Sequence, residues 1–281
     1  MPFPTYRATT YLTPLREGGS LPAVLDTEGG GLFVTKFRGA GQGAKALVAE
    51  LIVAGLAARL GLSVPEHAIV HLDERFGRSE PDPEIQDILN GSRGPNVGLR
   101  YLDGAFTFDA VAVGDLLDPA EAAAVVWLDA LTTNIDRTPR NPNLLWWGDP
   151  ARLWLIDHGA ALYFHHDWEG LTLERVRTPF AAIKDHVLLP LAGDLDDADA
   201  RLAPRLSEGV LTEVLADVPA ALLMDAPAGR APAFESAEAN RAAYLEYFEG
   251  RLVEPRPWVA EAVRAQHALR TRPPRPLDYR R

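Results

Sequence analysis

The stretch "NIDRTPRNPNLLWWGDPARLWLIDHG", residues 134–159, decides how the chain is read. It opens with a polar, proline-stiffened loop between a helix-like apolar run, "AVVWLDALTT", and a strand-like "LLWW". A plain surface turn needs only a Gly or an Asn, so this loop is read as built to hold something. "LLWW" and "RLWLID" are joined by "GDPA" as a hairpin. That hairpin would return Asp157, at the end of its second strand, to the loop that precedes its first. Asp136 and Asn141 lie five apart in that loop. A carboxylate there can orient a hydroxyl or accept its proton, and the Asn oxygen can ligate a hard cation. Asp157 would be a second, charged ligand, and Gly159 would allow a sharp exit. An all-oxygen set in a chain without cysteine suits magnesium rather than zinc. Magnesium held by few protein oxygens completes its shell with water and phosphate, which suggests a nucleotide. Either Asp alone could be an ordinary turn cap or strand end; the ordered set carries the chemistry.

Upstream of the loop, Asp118, Pro119 and Glu121 mark a helix start. The helix should run to about Thr133, with Ala120, Ala124, Trp127 and Leu131 as its buried stripe. The first third reads as strands: residues 8–15, 21–26 and 32–37, separated by the Gly-rich "REGGS" and "TEGGG". These suggest an antiparallel meander. A long helix is expected from Ala44 to Leu60, stopped by Gly61. A strand region, a polar insert with a short helix over 84–89, and a strand region over 97–108 follow. Further helices are expected over 208–215, 236–248 and 258–269. The tail "RTRPPRPLDYRR" reads as disordered rather than as a binding motif.

Composition sets outer limits. The 281 residues suffice for one large or two modest domains, and 47% apolar content supports a sizeable core. A net charge of −11 disfavours a general nucleic-acid binder. The acidic run "GDLDDADA" (residues 193–200) reads as a solvated turn. The absence of cysteine excludes disulfide scaffolds and thiol catalysis. The start "MPFPTYRATT" has no signal-peptide core. The longest apolar stretch carries Glu50 and Arg59 and so does not span a bilayer. A cytoplasmic protein is expected.

Of 28 basic residues, only Lys36, Lys45 and Lys184 are lysines. Lys36 closes the third strand. Glu50 is the only charge in "ALVAELIVAGLAA", so it should be at least partly buried and need a cation; Lys36 is the natural partner. "RGAGQGAKA" lacks the Gly-Lys-Ser/Thr ending of a Walker loop and reads as a mobile joint, although Lys45 could reach an acidic group. In "FHHDWEG" the adjacent His165, His166 and Asp167 would point apart, which argues against a metal site.

Taken together, residues 134–159 resemble the catalytic loop, hairpin and metal-binding segment of the protein-kinase-like fold. Asn134-Ile135-Asp136 stands where His-Arg-Asp would be, and Asp157-His158-Gly159 where Asp-Phe-Gly would be. The N-x-D-R pattern with a downstream Asn is similar to that of the HipA-like kinases. So is residues 34–70, from the lysine strand through the following helix. The likeness runs from about residue 9 to 180.

The resemblance implies an α+β, bilobal fold: residues 1–106 as an antiparallel-sheet lobe with one long helix, and 107–281 as a mostly helical lobe. It implies ATP and Mg2+ as cofactors, and a Ser or Thr of a protein as acceptor. Asp136 would act on the acceptor hydroxyl. Lys36, set by Glu50, would contact the α- and β-phosphates, and Asn141 and Asp157 would hold the metal. Asn143, next to "LL", is an alternative to Asn141: spacing from Asp136 favours one, proximity to the strand the other. Gly18, Gly19 and Ser20 would cover the phosphates, with Ser20 a candidate autophosphorylation site. Residues 99–106, with Tyr101 and Leu102, would hold the adenine, and residues 164–170 would belong to the activation-loop equivalent. HipA toxins usually carry an extra N-terminal subdomain and work beside a DNA-binding antitoxin, whereas this chain begins almost at the first lobe strand, so the resemblance leaves a toxin role open. A small-molecule acceptor, a non-catalytic nucleotide-binding scaffold and a metal-dependent phosphohydrolase are the alternatives.

Overall fold

The computed structural model describes residues 2–15, 21–41, 43–78, 80–226 and 229–271. Gly18, Gly19, Ser20 and the tail from residue 272 lie outside them, and so do the expectations attached to them. The fold is α+β. Strands β1 (Thr5–Pro14), β2 (Ala23–Thr27) and β3 (Gly31–Lys36) form the expected antiparallel series. The turn between β2 and β3 needs left-handed backbone at Gly29 (φ 74°) and Gly31 (φ 77°), which glycine adopts without a Cβ clash. Helix α1 (Ala44–Leu60) follows, then β4 (His67–Leu72), α2 (Pro83–Gly91) and β5 (Gly94–Arg100).

The meander of the first three strands is as expected, but the sheet goes further and closes on itself, which the sequence reading did not anticipate. It is a closed barrel in the order β1-β2-β3-β5-β4, sealed by a parallel pairing of Thr5, Tyr6 and Arg7 with Ile69, Val70 and His71. Register shifts in β1 between Ala8 and Thr10 and between Tyr11 and Thr13 bend the strand. The barrel interior mixes small residues (Ala8, Ala23, Ala68) with Leu25, Phe33 and Val70. Gly98 belongs to the same economy of space: a Cβ there would lie 2.7 Å from Val70 Cγ2 and 3.1 Å from Phe33 Cβ. Five strands close around so little volume only when some interior positions are nearly empty.

Ile69, Val97 and Leu99 belong instead to the larger core, which contains α1 and most of the helices. Leu47, Val48, Ala49, Leu51, Ile52, Val53, Leu56 and Ala57 of α1 are all buried. A helix apolar on every side must be buried on every side. Gly61, in the left-handed region at φ 83°, ends it as expected.

The second sheet comprises β6 (Phe106–Thr107), β7 (Leu144–Gly148) and β8 (Ala151–Leu155), with β7 and β8 forming the predicted hairpin. Between β6 and β7 lie α3 (Ala110–Val113) and α4 (Pro119–Thr132). Asp118 caps α4 by accepting from the Ala120 amide; Ala124, Trp127 and Leu131 of the expected stripe are buried, but Ala120 is exposed, and the burial is no stripe, since it takes in every residue from Ala122 to Thr132. The remaining helices are α5 (Leu173–Val176), α6 (Leu195–Leu202), α7 (Glu208–Ala216), α8 (Ala220–Leu223), α9 (Ala237–Leu252) and α10 (Pro257–Arg270). The acidic run taken for a turn is mostly α6. Asp194 caps it, and Asp199 receives the Trp127 indole N–H at 2.8 Å and Arg256 Nη1 at 2.7 Å.

Candidate active site

Lys36 is the last residue of β3, and Glu50 lies two turns into α1. Asp157 follows β8 by two residues. Lys36 Nζ donates to Glu50 Oε2 at 2.6 Å and to Asp157 Oδ1 at 2.6 Å, joining residues 14 and 121 positions away. Glu50 is fully buried, and its Oε2 also accepts the His158 amide at 2.7 Å. Burial opposes the Glu50 charge, but Lys36, His67 and His158 outweigh it and hold the carboxyl well below its usual range. Burial likewise opposes the Lys36 charge, and Glu50 with Asp157 holds it above the ordinary lysine value. The His67 ring bonds the Pro65 carbonyl through Nδ1 at 2.8 Å. A carbonyl only accepts, so Nδ1 carries a proton. The 3.3 Å approach of Nε2 to Glu50 Oε1 then closes as a hydrogen bond only when Nε2 is protonated as well.

The loop forms the second part of the site. Asp136 Oδ2 accepts from Asn141 Nδ2 at 2.8 Å and from Asn143 Nδ2 at 3.2 Å, so both Asn residues weighed from the sequence meet the same carboxylate oxygen. The Asn134 side-chain oxygen accepts the Asp136 amide at 3.2 Å. Thr138 and Asn141 exchange main-chain bonds at 3.0 and 3.1 Å and close the tip. Asn143 is buried and Asn141 exposed.

The two parts meet through the hairpin. The Ile156 amide donates to the Asn143 carbonyl at 3.1 Å, so the residue before Asp157 lies against the end of the loop. The sharp turn expected at Gly159 is made elsewhere. Asp157 itself is left-handed at φ 53° and Asn143 at φ 50°, whereas Gly159 is not. Asp and Asn tolerate this region because a short polar side chain can bond locally.

Beneath the loop lies a network not anticipated from the sequence. Asp129 of α4 is fully buried. It accepts from Arg137 Nε at 2.5 Å, His186 Nε2 at 2.8 Å and Asn134 Nδ2 at 3.0 Å. Leu188 donates its amide to His186 Nδ1, which places the His186 proton on Nε2, facing Asp129. Burial would raise the Asp129 carboxyl, but Arg137 and His186 hold it far below the carboxylate range. Burial drives His158 down to about 4. Asp129 carries the same signal that exposed Glu50, a lone carboxylate inside an apolar helix.

Tyr101 and Leu102 follow β5, whose Val97 pairs with Lys36. The Tyr101 amide already donates to the Leu32 carbonyl at 3.0 Å, and the Leu102 carbonyl accepts from Ala105 at 3.2 Å. His165 is buried against the Tyr244 hydroxyl at 2.8 Å, and Asp167 pairs with Arg175 at 2.8 Å. Lys45 is tied to the His165 carbonyl at 2.5 Å.

A lysine joined to a buried helix glutamate and to a post-hairpin aspartate, beside an Asp–Asn loop, is kinase architecture. The family model of HipA-like kinases matches residues 10–177. The chain belongs to the HipA-like kinase family. The crystal structure of the Helicobacter pylori proinflammatory kinase CtkA resembles it with a TM-score of 0.54 and 12% sequence identity, over 93% of this chain and 99% of that chain. At that identity the likeness is one of fold. No curated protein matches the sequence.

Membership in the HipA-like kinases implies ATP as phosphoryl donor and usually a divalent cation. The residues present suit such a cation. Among the described residues no cluster of three or more His, Asp or Glu side chains is arranged to hold a metal. One carboxylate with one amide oxygen would bind magnesium only together with phosphate oxygens, the usual mode for a nucleotide-bound ion. Asp157 has one oxygen on Lys36 and a side chain 42% exposed. Asn141 gives its nitrogen to Asp136, which leaves its oxygen to act as a ligand. Also among the described residues, no helix is long and apolar enough to cross a membrane.

Proposed function

We propose that this HipA-like kinase is a magnesium-assisted, ATP-dependent phosphotransferase whose acceptor is a Ser or Thr hydroxyl of a protein. The observation that carries the reading is the position of Lys36, 2.6 Å from both Glu50 and Asp157. In this reading the chain is bilobal and divides after residue 106. The first lobe covers the nucleotide; the second supplies the loop, the metal segment and the helices. Lys36 leaves Asp157 for the α- and β-phosphates when nucleotide enters, and Glu50 keeps it aimed. Asp157 and Asn141 hold magnesium, which supplies charge neutralisation on the phosphates. Asn143, on the same Asp136 oxygen, serves to fix the loop. The main chain of residues 99–106, at Tyr101 and Leu102, meets the adenine.

Asp136, fixed by two amide donors, orients the acceptor hydroxyl and takes its proton. The hydroxyl oxygen forms a bond to the γ-phosphorus, the bond to the β,γ-bridging oxygen breaks, and ADP leaves. Asp136→Ala should lower transfer from γ-labelled ATP to acceptor protein by roughly 10²–10⁴-fold, the usual worth of a positioned general base. Transfer at the wild-type rate would reject the assignment. Nucleotide binding without transfer to any acceptor would put the scaffold reading ahead, and ATP turnover into water alone the phosphohydrolase reading.

A further inference from the structure

The geometry points to Arg137 as a positioning residue that holds the Asp136 loop and the Asp157 segment in one register, so that divalent-cation affinity depends on a side chain that ligates nothing. The inference rests on the metal role proposed above for Asp157 and Asn141.

Arg137 is 1% exposed, although it sits in a surface-facing loop directly after Asp136. Its guanidinium reaches three separate pieces of the chain. Nε donates to Asp129 Oδ2 of α4 at 2.5 Å. Nη1 donates to the Asn143 carbonyl at the end of the loop and to the Ile156 carbonyl, 3.3 Å away, after β8. Nη2 donates to His158 Nδ1 at 3.2 Å. The Arg137 carbonyl accepts the Val187 amide at 3.0 Å, and His186, one residue earlier, bonds the same Asp129.

Asp157 is therefore flanked on both sides, at Ile156 and His158, by contacts to one side chain. That side chain belongs to the residue after the candidate base. Asn143 and Asp157 are both left-handed, a conformation non-glycine residues keep only when their surroundings enforce it. Arg137 bonds the carbonyl of the first and both neighbours of the second. Buried Asp129 carries the counter-charge, and His186 and Asn134 hold Asp129 in place. A lysine could face Asp129, but a point charge on a flexible stem cannot reproduce a planar fork with acceptors at Nε, Nη1 and Nη2.

The test uses the full chain with Mn2+ as a paramagnetic probe, in the presence of a non-hydrolysable ATP analogue. Free Mn2+ is read by electron paramagnetic resonance, and folding is followed by circular dichroism. Arg137→Lys should remain folded, bind Mn2+ at least tenfold more weakly and lose at least tenfold in kcat. Its KM for ATP should stay within about threefold of wild type, and excess Mg2+ should restore part of the rate. A folded Arg137→Lys protein with wild-type Mn2+ affinity would overturn the inference. If that variant does not fold, His158→Phe, which removes only the Nη2 acceptor, decides instead: threefold or greater weakening supports the role, and unchanged affinity overturns it. Asp157→Asn separates the two levels. If it binds Mn2+ like wild type, the metal assignment itself fails and the inference with it. If it loses binding while Arg137→Lys does not, only the positioning role fails.

Discussion

Glu50 and Asp129 show how a single residue can announce a site. Each is the lone charge in the buried middle of an otherwise apolar helix, and each is fully buried with a cationic partner. Glu50 and its pairing with Lys36 were legible because unpaired buried carboxylates are too costly to keep. Asp129 gave the same signal, but its partner Arg137 looked like one more charge of the polar loop. Lys36→Met should cost roughly 3–5 kcal/mol of stability, because it leaves Glu50 buried without its ammonium. Adding Glu50→Leu should recover much of that loss without recovering phosphotransfer. Urea denaturation of the two variants checks this; a double variant no more stable than the single one would show that Glu50 does not need Lys36.

Strands, helices and the pairings between neighbouring strands, β1-β2-β3 and β7-β8, followed from periodicity, turns and caps, but the long-range pairings did not. Alternation places a strand on a sheet without saying which edges meet, so closure of the barrel through residues 5–7 and 69–71 was not visible. Helices that are apolar all round, such as α1 and α4, give no stripe to read, which is why the expected face of α4 held at Ala124, Trp127 and Leu131, failed at Ala120 and missed the burial of the rest. Close approach between elements is equally silent in the sequence. A Cβ at Gly55 of α1 would lie 2.8 Å from Val214 Cγ1 of α7. Gly55→Ala gains about 1 kcal/mol of helix propensity and loses roughly 1–3 kcal/mol to overpacking. A net loss is expected, and Val214→Ala should relieve it, giving a coupling of about 1 kcal/mol in a double-mutant cycle. Strictly additive effects would mean the two helices part without strain.

For the molecule as a whole, the buried histidines set the response to acid. Burial lowers His158 to about 4, His165 well below its ordinary value, and His186 below its own despite Asp129. Unfolded histidines titrate near 6.5. Between pH 6.5 and about 4 the unfolded chain therefore binds protons that the folded chain refuses, and stability falls as pH falls through that window. Below about 4.5 the depressed Glu50 and Asp129 add to the loss with the same sign, since their charged forms are the ones the fold favours. The urea midpoint should be clearly lower at pH 5 than at pH 7.5, and His165→Phe, if it folds, should flatten the difference. Equal midpoints at the two pH values would contradict neutral histidines in the core.

The sealed barrel also has a consequence for synthesis on the ribosome. The first three strands can zip together as neighbouring hairpins while the chain is still emerging. The partner of residues 5–7 lies more than sixty positions later, at 69–71. Until that segment clears the exit tunnel, the outer rim of the first strand stays open to any passing extended peptide. The nascent chain is thus exposed early, and a chaperone that shields this rim would act before any part of the Asp136 loop has been translated.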